Sequence, residues 1–508
     1  MLYATHAHAA GAATQQAADD ESWFSDNRGH RHSFRAVYDP WFGPLRGDAH
    51  PRRAAVEVAA LTLAQLAFYW LNHDANKEDW DDPSLVDKLT LDAACFDNNP
   101  FDINFLLHPS AGAAFYGVSR SNNLSVPVSF AYTVAGSAVW EFFLEAREQV
   151  SFNDLVFTPF GGMPIGEFFF HLSDYVNSAP DGGHFPQDAA AYTLGIVHKA
   201  HDGIDGRGPA RPTLPADALG FSSAYAHRFG IGYGFAAIEN DEERVSSLHE
   251  LELSATLVAM PGFLRMGRFD TFFQHGNFSE ARVRLGLSEG KLGETDLWFS
   301  SVLAGWYGQR FERSPSGLAG RAVMVGANSA FRYYDLRVLG RRDRFAIAHM
   351  LGPAADLWMK QGDFAAHVNV GASVDFAGIR PLAYEPWTER FGKQGTKSVL
   401  QQEGYSIAWG ASGRLRASAT YALAEVGGAA SFGRYGSIEG HDREQSEVTR
   451  DIHTTDDIES EAVWVAVNPP APIRGQLSYE RLGRAGSMGS TSVSRFDERL
   501  MLLGEYVF

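Results

Sequence analysis

The second half of the chain alternates apolar and polar residues with a period of two, and this alternation continues to the last residue, Phe508. In the segment 364–376, for example, Phe364 and Val368 take alternate positions with polar residues such as His367. A period of two places successive side chains on opposite faces of a β-strand. The pattern recurs about twelve times after residue 217, so this part of the chain must form many strands with one apolar and one polar face.

Both a soluble β-sandwich and a transmembrane β-barrel produce this alternation. The connections between the strands favour the barrel, because short ones alternate with long polar ones. Outer-membrane barrels have short periplasmic turns and long outer loops. The short connections are predicted at 361–362, 412–413 and 468–472, and the long ones at 378–397 and 432–456.

We therefore predict an all-β transmembrane barrel of about twelve antiparallel strands. An even number of strands places both termini in the periplasm. A final strand that ends on Tyr506 and Phe508 resembles the signal that the outer-membrane barrel assembly machinery reads. The predicted location is the Gram-negative cell outer membrane, and the predicted partners are its lipid, its lipopolysaccharide and that machinery. The strands are expected near 218–238, 246–260, 278–289, 294–311, 318–335, 345–361, 363–377, 399–412, 414–431, 449–468, 472–483 and 491–508.

Composition and motifs exclude several function classes. The chain has 61 Asp and Glu against 43 Lys and Arg, which argues against a nucleic-acid partner. No P-loop, dinucleotide fingerprint, HEXXH or G-x-S-x-G motif is present, so we expect no cofactor and no metal. No stretch of 18 or more residues is a clean transmembrane helix. The segment 54–72 comes close, but it carries Glu57 and Gln65.

The chain divides into four predicted regions. Residues 1–50 are polar and are expected to be loosely ordered. Residues 51–176 have a helical pattern, with helices near 54–73, 112–119, 132–148 and 165–175. Residues 177–217 form a linker rich in Pro and Gly, and residues 218–508 form the barrel. The helical region is too polar for lipid, so we expect it to act as a plug that packs in the lumen or against the periplasmic mouth.

The helical region carries a dense set of polar and aromatic residues that resembles domain of unknown function 3943, a family of bacterial outer-membrane proteins. The Ala-Arg pair of that family is Ser119 and Arg120 here. The resemblance implies an outer-membrane barrel protein, and it supplies no reaction or ligand. The matching positions are Asn104, His108, Pro109, Gly112, Tyr116, Arg120, Trp140, Glu141, Glu145, Asn153, Asp154, Gly166 and Glu167.

Two pairs of titratable residues lie one helical turn apart in this region. Glu141 precedes Glu145, and Glu167 precedes His171, in both cases among aromatic residues. A buried charge without a partner costs several kcal/mol, so these side chains should be paired. The first interpretation is a structural network in which Arg120, His108 and Asn153 satisfy the acids. Its members would be Asn104, His108, Arg120, Trp140, Glu141, Glu145, Asn153, Asp154 and Glu167.

A second interpretation is a catalytic or metal-binding site, for which the candidates are His108, Glu141, Glu145 and Glu167. A general base at His108 would also need a nucleophile, and Ser110 and Ser137 are the nearest serines in sequence. A third is binding or gating of a small solute or a lipid ligand.

The leading function is therefore a structural or transport-type outer-membrane protein with a helical plug. The alternative is an outer-membrane enzyme that acts on lipid or lipopolysaccharide with a His/Glu site. Separately, the basic run GRRDR at 340–344 is expected in an outer loop, where a solvated loop is the first interpretation and contact with lipopolysaccharide phosphates the second.

Overall fold

The computed structural model describes residues 22–38, 47–71, 80–180, 184–206, 214–469 and 472–508. The described residues up to 205 contain four short strands and eight helices of different lengths. The strands are β1 (Trp23–Ser25), β2 (Arg31–Ser33), β3 (Ala94–Cys95) and β4 (Val150–Ser151). The helices are α1 (Phe34–Val37), α2 (Pro51–Leu71), α3 (Leu85–Thr90), α4 (His108–Ser121), α5 (Val126–Val139), α6 (Phe152–Val176), α7 (Phe185–Leu194) and α8 (Ile196–Asp205). There are also two π-helical segments. Ile103–Leu107 precedes α4, and Trp140–Leu144 follows α5.

The remainder is dominated by long antiparallel strands. These are β5 (Ala226–Asn240), β6 (Val245–Val258), β7 (Gly267–Phe273), β8 (Phe278–Ser288), β9 (Lys291–Ser314), β10 (Gly317–Leu336), β11 (Asp343–Gln361), β12 (Phe364–Ile379), β13 (Ser406–Tyr421), β14 (Ala424–Ser437), β15 (Thr454–Val467), β16 (Ile473–Met488) and β17 (Thr491–Val507). Two short helices, α9 (Tyr384–Phe391) and α10 (Ser398–Gln402), lie in the connection between β12 and β13.

Twelve strands form a closed antiparallel barrel, as the sequence predicts. Each of β5, β6 and β8 to β17 pairs with the next, and β17 pairs back with β5 to close the ring. The extra strand β7 pairs with the part of β9 that β8 does not reach, and it carries β1 and β2. Closure leaves the barrel strands without a free edge.

The polar face of the strands is the inside of the barrel. Ion pairs join strands that are not neighbours in the ring. Arg284 on β8 lies 2.9 Å from Glu480 on β16, and Arg484 on β16 pairs with Asp343 on β11. Such pairs form only across the lumen. The opposite face exposes a belt of apolar side chains, as the outer surface of a membrane barrel does; it includes Ile231, Leu253, Val465, Leu477 and Leu502.

Apolar side chains fill the lumen toward each end. At the end that carries the long connections, Ile238, Tyr334 and Phe345 belong to one buried cluster. At the end that carries the chain terminus, Phe24 and Phe34 of the amino-terminal segment pack into another cluster of inward-facing residues. Phe34 stacks on Phe269 with ring centroids 3.9 Å apart. We call these the loop end and the terminal end of the barrel.

The helical region lies on the outer wall of the barrel, and not in the lumen or under the mouth as the sequence analysis expects. Helix α6 contacts the wall through Phe157, which lies 5.3 Å from Phe376, and through Phe168, which lies 5.9 Å from Phe299. Phe376 follows the lumen-facing Asp375 directly, so it points outward. Phe299 points outward as well, since it is three residues from the lumen-facing Asp296.

Helices α2, α4, α5 and α6, which we call the helical layer, are stacked outward from this wall. The outermost two helices, α2 and α5, expose apolar side chains to the surroundings, and α5 buries polar ones. In α5 the buried positions include Ser129 and Thr133, whereas Val128 and Val134 are exposed. A helix in water shows the opposite arrangement.

Helix α2 is long and apolar enough to cross a membrane, although the sequence analysis sets this segment aside. It has 21 residues, and only 17% of its apolar window is buried. Its length of about 31 Å equals the thickness of a bilayer core. The charge that argued against it, Glu57, is paired, because one carboxylate oxygen lies 2.8 Å from His201 Nε2.

Several boundaries differ from the predicted ones. The predicted linker at 177–217 contains α7 and α8, and part of the region 1–50 is folded, because β1 pairs with β7; residues 1–21 and 39–46 lie outside the described ranges. The turn predicted at 412–413 is wrong. Strand β13 runs through it, with Ser412 paired to Ser373, and the real turn at 422–423 uses Ala422 at φ 51°.

Candidate functional site

Helices α4 and α6 run side by side because small residues let their backbones touch. A Cβ atom on Gly112 would lie 1.7 Å from the carbonyl oxygen of Thr158, and one on Gly162 would lie 2.5 Å from the backbone of Gly112. Close approach through small residues is the usual way in which helices pack in membranes. On α4, His108, Gly112, Tyr116 and Arg120 recur every four residues, so they form one stripe that faces α6.

One buried polar cluster lies at the end of this stripe that is nearer to the terminal end of the barrel, and we call it the Arg120 cluster. Arg120 Nε donates to Glu167 Oε2 at 2.8 Å, and Arg120 Nη2 donates to Oε1 at 2.9 Å. Tyr116 Oη donates to the same carboxylate at 2.6 Å, and His171 Nε2 lies 3.1 Å from it. All four side chains are inaccessible to solvent. The carboxylate is fully paired.

A second cluster lies at the other end of the stripe, near the loop end, and we call it the His108 cluster. His108 Nε2 lies 3.7 Å from Asp154 Oδ2, and His108 Nδ1 lies 3.5 Å from Thr158 Oγ1. Glu141 completes the group, and one ligand atom each of His108, Glu141 and Asp154 lie within 4.8 Å of one another. The backbone N–H of Ser151 donates to Glu141 Oε2 at 3.0 Å.

The local fold explains how these three side chains meet. His108 begins α4 directly after the π-helical segment Ile103–Leu107, and Glu141 lies within the second π-helical segment, Trp140–Leu144. Asp154 lies in the first turn of α6, and its N–H is capped by Ser151 Oγ at 3.3 Å. Single π-helical turns are rare, and they are found frequently at functional sites.

Acidic side chains outnumber cations in and around the His108 cluster. Lys88 is the lysine whose positive charge interacts with these carboxylates. Its Nζ donates a hydrogen bond to the backbone oxygen of Glu145 at 2.8 Å. Burial lowers the pKa of the Lys88 ammonium. Asn153 Nδ2 donates to Asp97 Oδ1 at 3.0 Å, and Asn104 donates to the same oxygen. The acids that act on one another here are Asp97, Glu141, Glu145, Glu148 and Asp154.

The predicted network is therefore divided into two clusters. Arg120 and Glu167 form one, and Arg120 does not reach the other acids as the sequence analysis expects. The second contains Asn104, His108, Glu141, Glu145, Asn153 and Asp154, and Trp140 lies at its edge, 6.0 Å from the ring of Tyr69. Sequence reasoning missed Asp97 and Thr158. Thr158 follows Asp154 at the i, i+4 spacing, which was the available signal.

The two candidate serines do not contact His108 in the described part of the chain. Ser110 Oγ donates to the carbonyl oxygen of Leu106 at 2.6 Å, and Ser137 Oγ donates to that of Asp154 at 3.3 Å. A Ser–His hydrolytic pair requires a hydrogen bond between the two side chains. The geometry thus favours ligand binding over nucleophilic catalysis at His108.

A separate cavity of about 450 Å³ opens at the loop end of the barrel. It brings the basic run of the β10–β11 connection together with arginines from the β12–β13 connection and β17. Its charged lining residues are Arg337, Arg341, Arg342, Arg380, Arg495 and Glu385. Arginine side chains bind phosphate groups well. Contact with lipopolysaccharide phosphates stays a prediction, as does recognition of Phe508 by the assembly machinery.

Residues 93–195 match the domain of unknown function DUF3943, which confirms the resemblance and covers both clusters. A search of curated proteins gave no match. Three solved structures are similar to the barrel. OmpT of Vibrio cholerae is 6% identical, covering 56% of this chain and 98% of its own, with a TM-score of 0.21. The anion-selective porin of Comamonas acidovorans is 6% identical, with 56% and 99% covered and a TM-score of 0.22. The channel DcaP of Acinetobacter baumannii is 10% identical, with 56% and 97% covered and a TM-score of 0.16.

The protein is a closed twelve-stranded antiparallel β-barrel with an apolar outer belt and an amino-terminal helical region.

Proposed function

We propose that this protein has a structural role in the outer membrane, with a barrel that does not conduct and a helical layer that lies in the lipid beside the barrel wall. The observation that carries the proposal is the filling of the lumen. Arg499 on β17 donates to Glu294 on β9 at 2.5 Å, and it also lies 3.4 Å from Glu250 on β6. These ion pairs span the interior, and apolar clusters lie beyond them at both ends.

We expect the purified protein, inserted into a planar lipid bilayer, to show no channel steps under an applied voltage. A transport-type barrel would need a continuous water path, which we expect the cross-lumen ion pairs and the apolar clusters at both ends to block. A general porin in the same bilayer is the control for insertion, and a heat-modifiable gel mobility confirms that the barrel is folded. Reproducible conductance steps from folded protein would contradict the structural role.

The reversed polarity of the outer helices supports their position in lipid. Exposed side chains of α2 and α5 are apolar over nearly their whole length, while the buried positions include Thr62 of α2 and Ser129, Thr133, Gly136 and Ser137 of α5. The connections support the orientation with both termini in the periplasm. The two longest connections that contain no strand, 380–405 and 438–453, are at the loop end, whereas 315–316, 362–363 and 422–423 at the terminal end are two-residue turns. The exception at the terminal end is 259–277, which contains β7.

The variant Val134→Asp tests the position of the layer. A carboxylate on the lipid-facing side of α5 should cost about 2.5–3.5 kcal/mol, so the urea midpoint of unfolding in lipid vesicles should fall. The matched control is Val86→Asp on α3. Val86 is 67% exposed and stands beside Asp87 and Lys88, so its effect should stay within about 0.5 kcal/mol. Equal, small effects of both substitutions would place the layer in water.

A further inference from the structure

We infer that the His108 cluster binds one divalent transition-metal ion, with His108, Glu141 and Asp154 as the ligands. The inference is independent of whether the barrel conducts. The three side chains come from three different elements: the start of α4, the π-helical segment Trp140–Leu144 and the first turn of α6. A bound ion would tie these elements together at the loop end of the helical layer.

The spacing of the ligand atoms fits a metal ion. They lie within 4.8 Å of one another, whereas Zn–N and Zn–O bonds of about 2.0–2.2 Å allow at most about 4.4 Å between two ligands. Shifts of a few tenths of an ångström are enough to close the site. Glu141 is 1% exposed, and the hydrogen bond from the Ser151 N–H goes to its Oε2 atom, so Oε1 can serve as the ligand oxygen.

Charge is the strongest argument, and the Arg120 cluster supplies the comparison. Both clusters combine a histidine with buried carboxylates in the same helical layer. In the Arg120 cluster the guanidinium of Arg120 neutralises Glu167. In the His108 cluster Asp97 and Glu141 both act on Asp154 with like charge, and no arginine contacts them among the described residues. Lys88 is the one nearby lysine in the described part of the chain, and it faces Glu141, Glu145 and Glu148 together, so the acids remain in excess. Uncompensated buried charge costs several kcal/mol, and a divalent cation would remove that cost.

The donor set selects the type of ion. Ca²⁺ and Mg²⁺ prefer oxygen ligands only, whereas an imidazole with two carboxylates suits Zn²⁺, Fe²⁺ or Mn²⁺. Three protein ligands would leave at least one coordination position open. The ion has a route to the site, because the His108 side chain is 17% exposed and the neighbouring Leu107 is half exposed.

The test is calorimetric titration of chelator-treated, folded protein in detergent, without a polyhistidine tag, using ZnCl₂, MnCl₂ and CaCl₂ separately. We expect one tight Zn²⁺ equivalent per chain, weaker Mn²⁺ binding and no saturable Ca²⁺ binding. Co²⁺ should give a visible absorption band from the same site. Wild-type protein that binds neither Zn²⁺ nor Mn²⁺ saturably would overturn the inference, and so would Ca²⁺ binding as tightly as Zn²⁺.

Variants locate the ion. Glu141→Gln, Asp154→Asn and His108→Gln should each weaken Zn²⁺ binding by at least about 100-fold, with folding checked by heat-modifiable mobility. His108 is partly exposed, with 17% of its side chain accessible, so its variant is the one expected to keep the fold if the buried variants do not. His201→Gln is the matched control, because His201 is a buried histidine paired with a single carboxylate. Tight binding that persists in His108→Gln, or that is lost equally in His201→Gln, would place the ion elsewhere.

Discussion

Replacing Arg120 by methionine is expected to lower the free energy of unfolding by about 3–5 kcal/mol, because the substitution leaves the Glu167 carboxylate buried without its cation. Both side chains have no solvent exposure, so water cannot take the place of the guanidinium. Tyr116 and His171 still contact the carboxylate, but they do not replace the two hydrogen bonds that the guanidinium donates to it. Urea unfolding in lipid vesicles, followed by tryptophan fluorescence, measures the loss.

The double variant Arg120→Met, Glu167→Met is the control for this prediction. Removing both charges eliminates the unpaired group, and apolar replacements of buried ion pairs are often neutral. The double variant should therefore recover most of the stability that the single variant loses. A double variant as unstable as the single one would show that the effect comes from packing around residue 120 and not from charge.

The barrel was predictable because its determinants are local. A strand with one face toward lipid and one toward a polar interior must alternate at every second residue, and a shift by one residue would reverse both faces. The error at 412–413 has the same origin. Ser412 and Gly413 are typical turn residues, but they pair with β12 in the middle of a strand, and no local signal separates the two cases.

The position of the helical layer was not predictable from the same pattern. An outward apolar residue has the same sequence signature whether lipid or a helix covers it. Phe299 and Phe376 are covered by α6, whereas Leu477 and Leu502 are exposed. The sequence analysis judged the layer too polar for lipid because the residues that pair with its charged side chains are distant in sequence. His201, which pairs with Glu57, is 144 residues away from it.

The candidate site was found in part. The i, i+4 spacing correctly singled out Glu167 with His171, which lie 3.1 Å apart. It failed for the partner of Arg120, since Arg120 and Glu167 are 47 residues apart in the chain and only the packing of α4 on α6 decides which acid the guanidinium meets. Substitution of the glycines in this contact therefore tests the packing of α4 on α6.

Gly112→Ala is expected to disrupt the helical layer. The added methyl carbon would lie 1.7 Å from the carbonyl oxygen of Thr158 and 3.3 Å from Gly162 Cα. These are backbone atoms that cannot rotate away, so α4 and α6 must separate. Overpacking costs about 1–3 kcal/mol when side chains can adjust, and the backbone contact places Gly112→Ala at or above about 3 kcal/mol. The unfolding experiment in vesicles measures this change.

Gly117→Ala is the matched control, because it makes the same substitution in the same helix. A Cβ atom at Gly117 meets nothing within 4 Å, and alanine in a helix interior is more favourable than glycine by about 0.5–1 kcal/mol. The two variants should therefore change stability in opposite directions. Gly112 stands one turn after His108 and one turn before Tyr116, so the separation of the helices should also disturb both polar clusters. If Gly112→Ala is as stable as Gly117→Ala, the close contact between α4 and α6 does not hold the layer together.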